Sequence, residues 1–202
     1  YTGNGSNSTI GHGLLSAPDL MIFKDRDAGS NWVVYARSQG AGNRGQLNTS
    51  NAWGSSSTSF QSTDPDNSVI TLGTSSGTNA SGNDFVCYAW HNVDGMQRFS
   101  TYTGNGSSDG PTISLGFRPK MICIRRTTAG QFNVFDSARS TFNPVNKYLG
   151  WNVTDTEQTG ADVDFLSNGF KVRSSASGVK TNVTTYIFMA WADQSAKYSN
   201  AF

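Results

Sequence analysis

Tyr1-Thr2-Gly3-Asn4-Gly5-Ser6 recurs residue for residue as Tyr102-Thr103-Gly104-Asn105-Gly106-Ser107, an offset of 101 in a chain of 202 residues. The match extends outward from that string at the same spacing. Pro18 falls on Pro119, Leu20-Met21-Ile22 on Met121-Ile122-Cys123, and Lys24 on Arg125. Much further on, Phe85-Val86-Cys87-Tyr88-Ala89-Trp90 falls on Tyr186-Ile187-Phe188-Met189-Ala190-Trp191. A self-similar period of this size means one structural unit written twice. The expected domains are therefore 1–101 and 102–202, either as two close-packed units or as one sandwich built from both halves. No flexible linker lies near Thr101.

The unit is read as all-β. Glu157 is the only glutamate, Leu and Lys are sparse, and Ser, Thr, Asn and Gly are abundant. Helix formers are thus missing, while strand and turn residues are plentiful. Strand-like runs recur at sandwich or barrel spacing. In the first copy they are Leu20–Lys24, Trp32–Arg37, Ser68–Leu72 and Phe85–His91. In the second they are Met121–Arg125, Phe132–Asp136, Lys147–Trp151, Phe165–Val172 and Thr185–Trp191, with Gln97–Thr103 bridging the copies. Asp25–Asn31 and Thr127–Gln131 read as hairpin loops. Asn168-Gly169 predicts a type I′ turn. Phe85–Trp90 and Tyr186–Trp191 are apolar on both faces, which predicts a central strand covered on both sides. Segments 54–63, 73–84 and 173–184 read as polar loops. The expected architecture is a β-sandwich, jelly-roll-like, with two tandem pseudo-repeats packed together.

Bulk charge narrows the partners. A net charge of +1 with 14% charged residues gives no basic stripe for nucleic acid and little attraction to an acidic membrane. No run of ~18 apolar residues predicts a membrane span. No leader is visible and no Met begins the chain, so the sequence reads as a piece of a longer protein. Cys87 and Cys123 replace core hydrophobes of the other copy, Phe188 and Ile22, and read as two buried thiols; one disulfide is the alternative.

Motifs for chemistry are thin, and no cofactor or metal is expected. Gly40-Ala41-Gly42-Asn43-Arg44-Gly45 fits G-x-G-x-x-G, but no helix follows to hold a pyrophosphate, so it reads as a flexible loop. His12 and His91 lack the companions of a zinc site, and nothing marks a nucleophile for either. Glycoside hydrolysis needs paired carboxylates, whereas Glu157 stands alone. Asp162 and Asp164 straddle Val163, and Asp64-Pro65-Asp66-Asn67 is a second acidic pair; either could hold calcium, but turn formation is the plainer role. Asn-x-Ser/Thr occurs at Asn4, Asn7, Asn48, Asn79, Asn105, Asn152 and Asn182, as chance allows in so polar a chain. Trp90 and Trp191 coincide in the repeat and read as core. Trp53 and Trp151 do not, and with Arg44 they are the candidate ligand-binding residues, since an exposed ring stacks on a sugar face. A half-buried packing role is the alternative for both rings.

Several of these strings are familiar together. Gly11-His12-Gly13, Ala17-Pro18-Asp19-Leu20, Lys24-Asp25-Arg26-Asp27 and Trp32 resemble a repeat unit of tail-fibre and other virion structural proteins of marine bacteriophages. So do Tyr102–Gly106, Gly116-Phe117-Arg118-Pro119, Phe165–Lys171, Tyr186–Ala192 and Lys197-Tyr198-Ser199-Asn200-Ala201. The resemblance implies a non-enzymatic β-rich segment of a fibre or surface appendage on the virion. It implies partners in copies of itself, as a homo-oligomer, and in other virion proteins. A carbohydrate-binding module for host surface glycan is the second expectation and a capsule depolymerase the third. The resemblance transfers no catalytic or binding residue.

Overall fold

The alternation read from the sequence becomes antiparallel sheet in a computed structural model that describes residues 1–193. Lys197-Tyr198-Ser199-Asn200-Ala201 lie outside the described residues. The chain forms two compact units, Tyr1–Asn92 and Val93 onward. That division precedes the repeat boundary because the bridging strand pairs entirely within the second unit.

The first unit runs β1 (Ser8–Gly11), β2 (Leu20–Asp25), β3 (Val33–Ala36), β4 (Asn43–Gln46), β5 (Gly54–Ser55), α1 (Ser57–Phe60), β6 (Val69–Leu72), α2 (Ser76–Asn79) and β7 (Phe85–Trp90). A five-stranded sheet of order β5-β4-β3-β2-β7 faces the β1-β6 pair. Between them lie Met21, Phe23, Val33, Tyr35, Ile70 and Leu72, the alternate residues of their strands. Phe60 closes this core, 5.5 Å from the Phe23 ring and 5.6 Å from that of Tyr35. Burying such a ring contributes roughly 1.5–3 kcal/mol. It converts part of the polar stretch at 54–63 into a short strand and a helical turn.

The second unit runs β8 (Gln97–Thr103), β9 (Thr112–Ser114), β10 (Pro119–Arg126), β11 (Asn133–Asp136), β12 (Tyr148–Gly150), β13 (Val163–Leu166), β14 (Gly169–Val172), α3 (Ser177–Lys180) and β15 (Thr185–Ala192). Sheets of order β12-β11-β10-β15-β8 and β13-β14-β9 enclose a core that includes Ile122, Ile124, Phe135, Phe165, Phe170 and Phe188. Each unit is a sandwich-like all-β fold. Among the described residues no helix is long and apolar enough to cross a membrane.

The repeated Tyr-Thr-Gly-Asn-Gly string has a mechanical reason. The Tyr1 hydroxyl donates to the Thr78 carbonyl at the end of α2, and the Tyr102 hydroxyl donates to the Val179 carbonyl in α3, each at 2.5 Å. Gly3 and Gly104 lie directly against these turns. A Cβ there would meet Ala80 O at 2.2 Å and Thr181 O at 2.3 Å, respectively. Asn4 and Asn105 accept from the amides of Ser6 and Ser107. Gly5 and Gly106 both have φ of 68°, which glycine adopts without strain.

Four expectations are corrected. The Gly40–Gly45 loop overlaps β4, hydrogen-bonded between β3 and β5, so it is partly sheet. Segments 73–84 and 173–184 contain α2 and α3. The hairpin at Ser167-Asn168 forms, but neither residue has the positive φ of a type I′ turn; the unusual φ, 154°, sits on Gly169. Last, the two central strands differ. β15 lies between β10 and β8, whereas β7 pairs with β2 on one side and, among the described residues, meets Tyr1 on the other, with Thr2 bridging Asp84 just before it. Apolar character on both faces reports that a strand needs cover, not that the cover is in the same sheet.

Candidate functional site

The acidic and basic candidates are engaged in building turns. Asp25, buried at the end of β2, accepts from the Asp27 and Ala28 amides, the Ser30 hydroxyl and the Asn83 amide. Burial alone would raise its carboxyl, but those hydrogen bonds outweigh it and hold the carboxyl below its ordinary 3.8. Asp64 accepts from the Tyr35 hydroxyl and the Ala41 amide. Asp66 accepts from the Ser68 and Val69 amides, which keep its carboxyl low. Asn67 accepts from Ala17 N. The Asp64–Asn67 segment therefore ties loops together. His12 Nε2 donates to Asp66 O at 3.1 Å, and its Nδ1 accepts from Leu14 N, which fixes the neutral tautomer. His91 Nδ1 lies 2.8 Å from Asn92 O.

In the second unit Asp164 pairs with Arg173 at 3.4 Å and Glu157 with Lys147 at 3.5 Å. Asp162 contributes its backbone carbonyl to the Arg173 amide. No cluster of three or more metal-binding side chains occurs among the described residues. Lys180 takes the place that Asn79 holds in the first unit and is buried. Burial lowers its pKa below the ordinary 10.5, and nearby Asp109 opposes that shift.

The aromatic candidates separate. Trp53 is half-buried and lies on Gly45, where a Cβ would come within 2.3 Å of the ring. Its Nε1 has no hydrogen-bond partner among the described residues. Arg44, on the same β4–β5 hairpin, reaches Ser75 Oγ at 3.4 Å and Ser59 Oγ at 3.5 Å in a polar groove of about 230 Å³ with Asn31 and Gln46. Trp151, in the second unit, is 42% exposed beyond β12. It corresponds to Leu47, because the amides of Leu47 and Trp151 donate to Trp32 O and Phe132 O. Asn48 and Asn152 follow them, and each accepts from the amide of Trp32 or Phe132 through its side chain. The structural alignment thus slips relative to the spacing of 101 in this stretch.

One concavity was not among the sequence candidates. A groove of about 590 Å³ runs along β7, lined by Tyr1, Ile10, His12, Ile70, Cys87 and Trp90, among others. Both cysteines are free, as read, but Cys87 is only half-buried here, whereas Cys123 is enclosed. Burial pushes the Cys87 thiol up to about 12. The signal was present in the repeat: at the shared offset, the counterparts of Gln97–Thr101 fall ahead of Tyr1.

No curated protein and no solved structure matches the chain. Residues 1–195 match the model of a domain of unknown function, DUF7483, and the chain belongs to that family.

Proposed function

We propose that this DUF7483 chain is a non-enzymatic structural segment of a phage virion, part of a fibre or surface appendage that assembles with copies of itself and with other virion proteins. One observation carries the reading: what the two units share is scaffold. The tyrosine tethers, the close-approach glycines, the Asn48 and Asn152 caps and the basic residues that brace the β2–β3 and β10–β11 turns all recur. Lys24 bonds Ala28 O and Ser30 O, and Arg125 bonds Thr128 O. The chemistry-bearing positions do not recur. His12 has no counterpart histidine, and Lys180 stands where Asn79 does. Duplication that keeps only the frame suits a part whose task is shape. The resemblance of the repeat strings to marine phage fibre proteins supports the same reading.

The test is immunogold electron microscopy of purified particles with an antibody to this chain. Discrete labelling of a tail or capsid appendage is expected. Antigen that stays in the soluble lysate once particles have been removed rejects the proposal.

A glycan-recognition role is the second reading, and the exposed Trp151 favours it. An exposed ring used as a sugar platform loses on the order of 1 kcal/mol or more of binding when truncated. Trp151→Ala should then weaken attachment to host cells and leave folding intact. Trp53→Ala should act through stability, since that ring covers Gly45.

A further inference from the structure

We propose that the groove along β7 is a strand-acceptor site, and that its occupant is an extended segment of the chemistry of Gln97–Thr101 that lies antiparallel to β7 and continues into Tyr1. The inference does not depend on the virion reading. Its basis is the second unit, where the equivalent place is filled. There β8 pairs with β15 in the register Thr103 to Thr185, Tyr102 to Tyr186, Ile187 to Thr101, Phe188 to Ser100, Met189 to Phe99, Ala190 to Arg98 and Trp191 to Gln97.

The first unit reproduces the end of that ladder and then stops. Thr2 bridges Asp84. Tyr1 and Phe85 exchange both backbone bonds, at 3.1 Å and 2.8 Å. Their rings stack at 5.3 Å, as those of Tyr102 and Tyr186 stack at 5.1 Å. A chain entering Tyr1 in the β8 conformation is thereby aimed along the edge of Val86–Trp90, which no strand of the described residues pairs.

Exposure follows the same break. Phe85 is buried, like Tyr186. Beyond it, Tyr88 is 47% exposed where Met189 is 1% exposed, and Cys87 is half-buried where Phe188 is enclosed. An apolar edge whose N–H and C=O groups meet no strand among the described residues is a template for another strand. The occupant's chemistry is read from the filled copy. The residue facing Tyr88 takes the place of Phe99, an apolar ring that meets Trp191 edge-on at 5.6 Å. Trp90 is the corresponding partner in the first unit. The residues facing Cys87 and Ala89 are hydrogen-bonded pairs, because the pairs alternate from Tyr1–Phe85.

The experiment uses the whole chain with the sequence of Gly95–Thr101 copied directly in front of Tyr1. A control prefix carries proline at the copies of Arg98 and Ser100, which removes the amides that would bond to β7. The copied prefix should raise the melting temperature by about 5 °C or more. It should also slow labelling of Cys87 by a thiol reagent at least ~10-fold, as a paired edge opens less often. Enclosed Cys123 serves as the unlabelled reference. The proline prefix should do neither. The proposal is overturned if the copied prefix changes neither quantity, or if the proline prefix acts equally well. It is also overturned if the unprefixed chain sediments as a dimer with the β7 amides protected from exchange, since the edge would then belong to a second copy.

Discussion

At the scale of single residues, Asp25 shows how a charged group becomes part of the frame. It is buried, yet four donors converge on its two oxygens and keep it ionised. Its folded-state pKa lies below the unfolded value. The stability it contributes is therefore complete above the ordinary carboxylate range and is lost as pH falls through the lowered value. Asp25→Asn keeps the shape but turns a donor toward Ser30 or Asn83 in place of an acceptor. At neutral pH the loss should be on the order of 2 kcal/mol, the size of a hydrogen bond to a charged group. Urea unfolding followed from pH 7 downward checks this. The gap between parent and variant should narrow as pH falls below 3.8, where the unfolded parent takes up a proton, and level off once the folded carboxyl protonates at its lowered value. A gap that stays constant into strong acid would assign the effect to shape and not to charge.

At the scale of elements, the repeat supplies its own controls. Tyr1 and Tyr102 make the same bond to a short helix, but Tyr102 is buried within its core while Tyr1 lies half-covered beside the open edge. Both acceptor residues, Thr78 and Val179, are buried, but removing the hydroxyl from half-covered Tyr1 leaves water a path to the vacated place, whereas removing it from buried Tyr102 strands the acceptor. Tyr102→Phe should therefore cost more than Tyr1→Phe, about 1–3 kcal/mol against less than about 1 kcal/mol. Unfolding curves of the two variants decide it, and equal losses would mean that the edge at Tyr1 is closed.

The same elements show what was legible in the sequence. Strands marked by apolar residues, such as β2 and β6, were read correctly because those residues are the ones the core buries. β1, β4, β5 and β9 were missed, since polar strands such as Ser8–Gly11 and Asn43–Gln46 carry little hydrophobic alternation and are held by ladder bonds. The turns of α2 and α3 were missed because their anchors, Tyr1 and Tyr102, lie 77 residues away in sequence. Of the site candidates, Trp151 is exposed as a recognition ring must be. Trp53 was separable from it only by geometry, since its contact with Gly45 leaves no trace in composition. The β7 groove was readable solely by asking what fills the same place in the other copy.

At the scale of the whole molecule, the distribution of carboxylates bears on whether the chain cuts polysaccharide. Hydrolysis of a glycosidic bond calls for an acid and a partner ~5–9 Å apart, one of them with a raised pKa. The carboxyls of Asp25, Asp66 and Asp109 all lie below the ordinary value, held there by hydrogen bonds and, for Asp109, by Lys171. That direction favours the ionised form and opposes a general acid. Asp164 pairs with Arg173 and Glu157 with Lys147, so neither carboxylate faces a second carboxylate in those contacts. Incubation of the chain with host capsule or lipopolysaccharide should release no oligosaccharide at any pH at which the fold survives. Chromatography of the reducing ends would detect the contrary. If fragments appear and Asp164→Asn or Asp162→Asn abolishes them, these side chains form a site that their resting geometry conceals, and the structural reading gives way to a depolymerase.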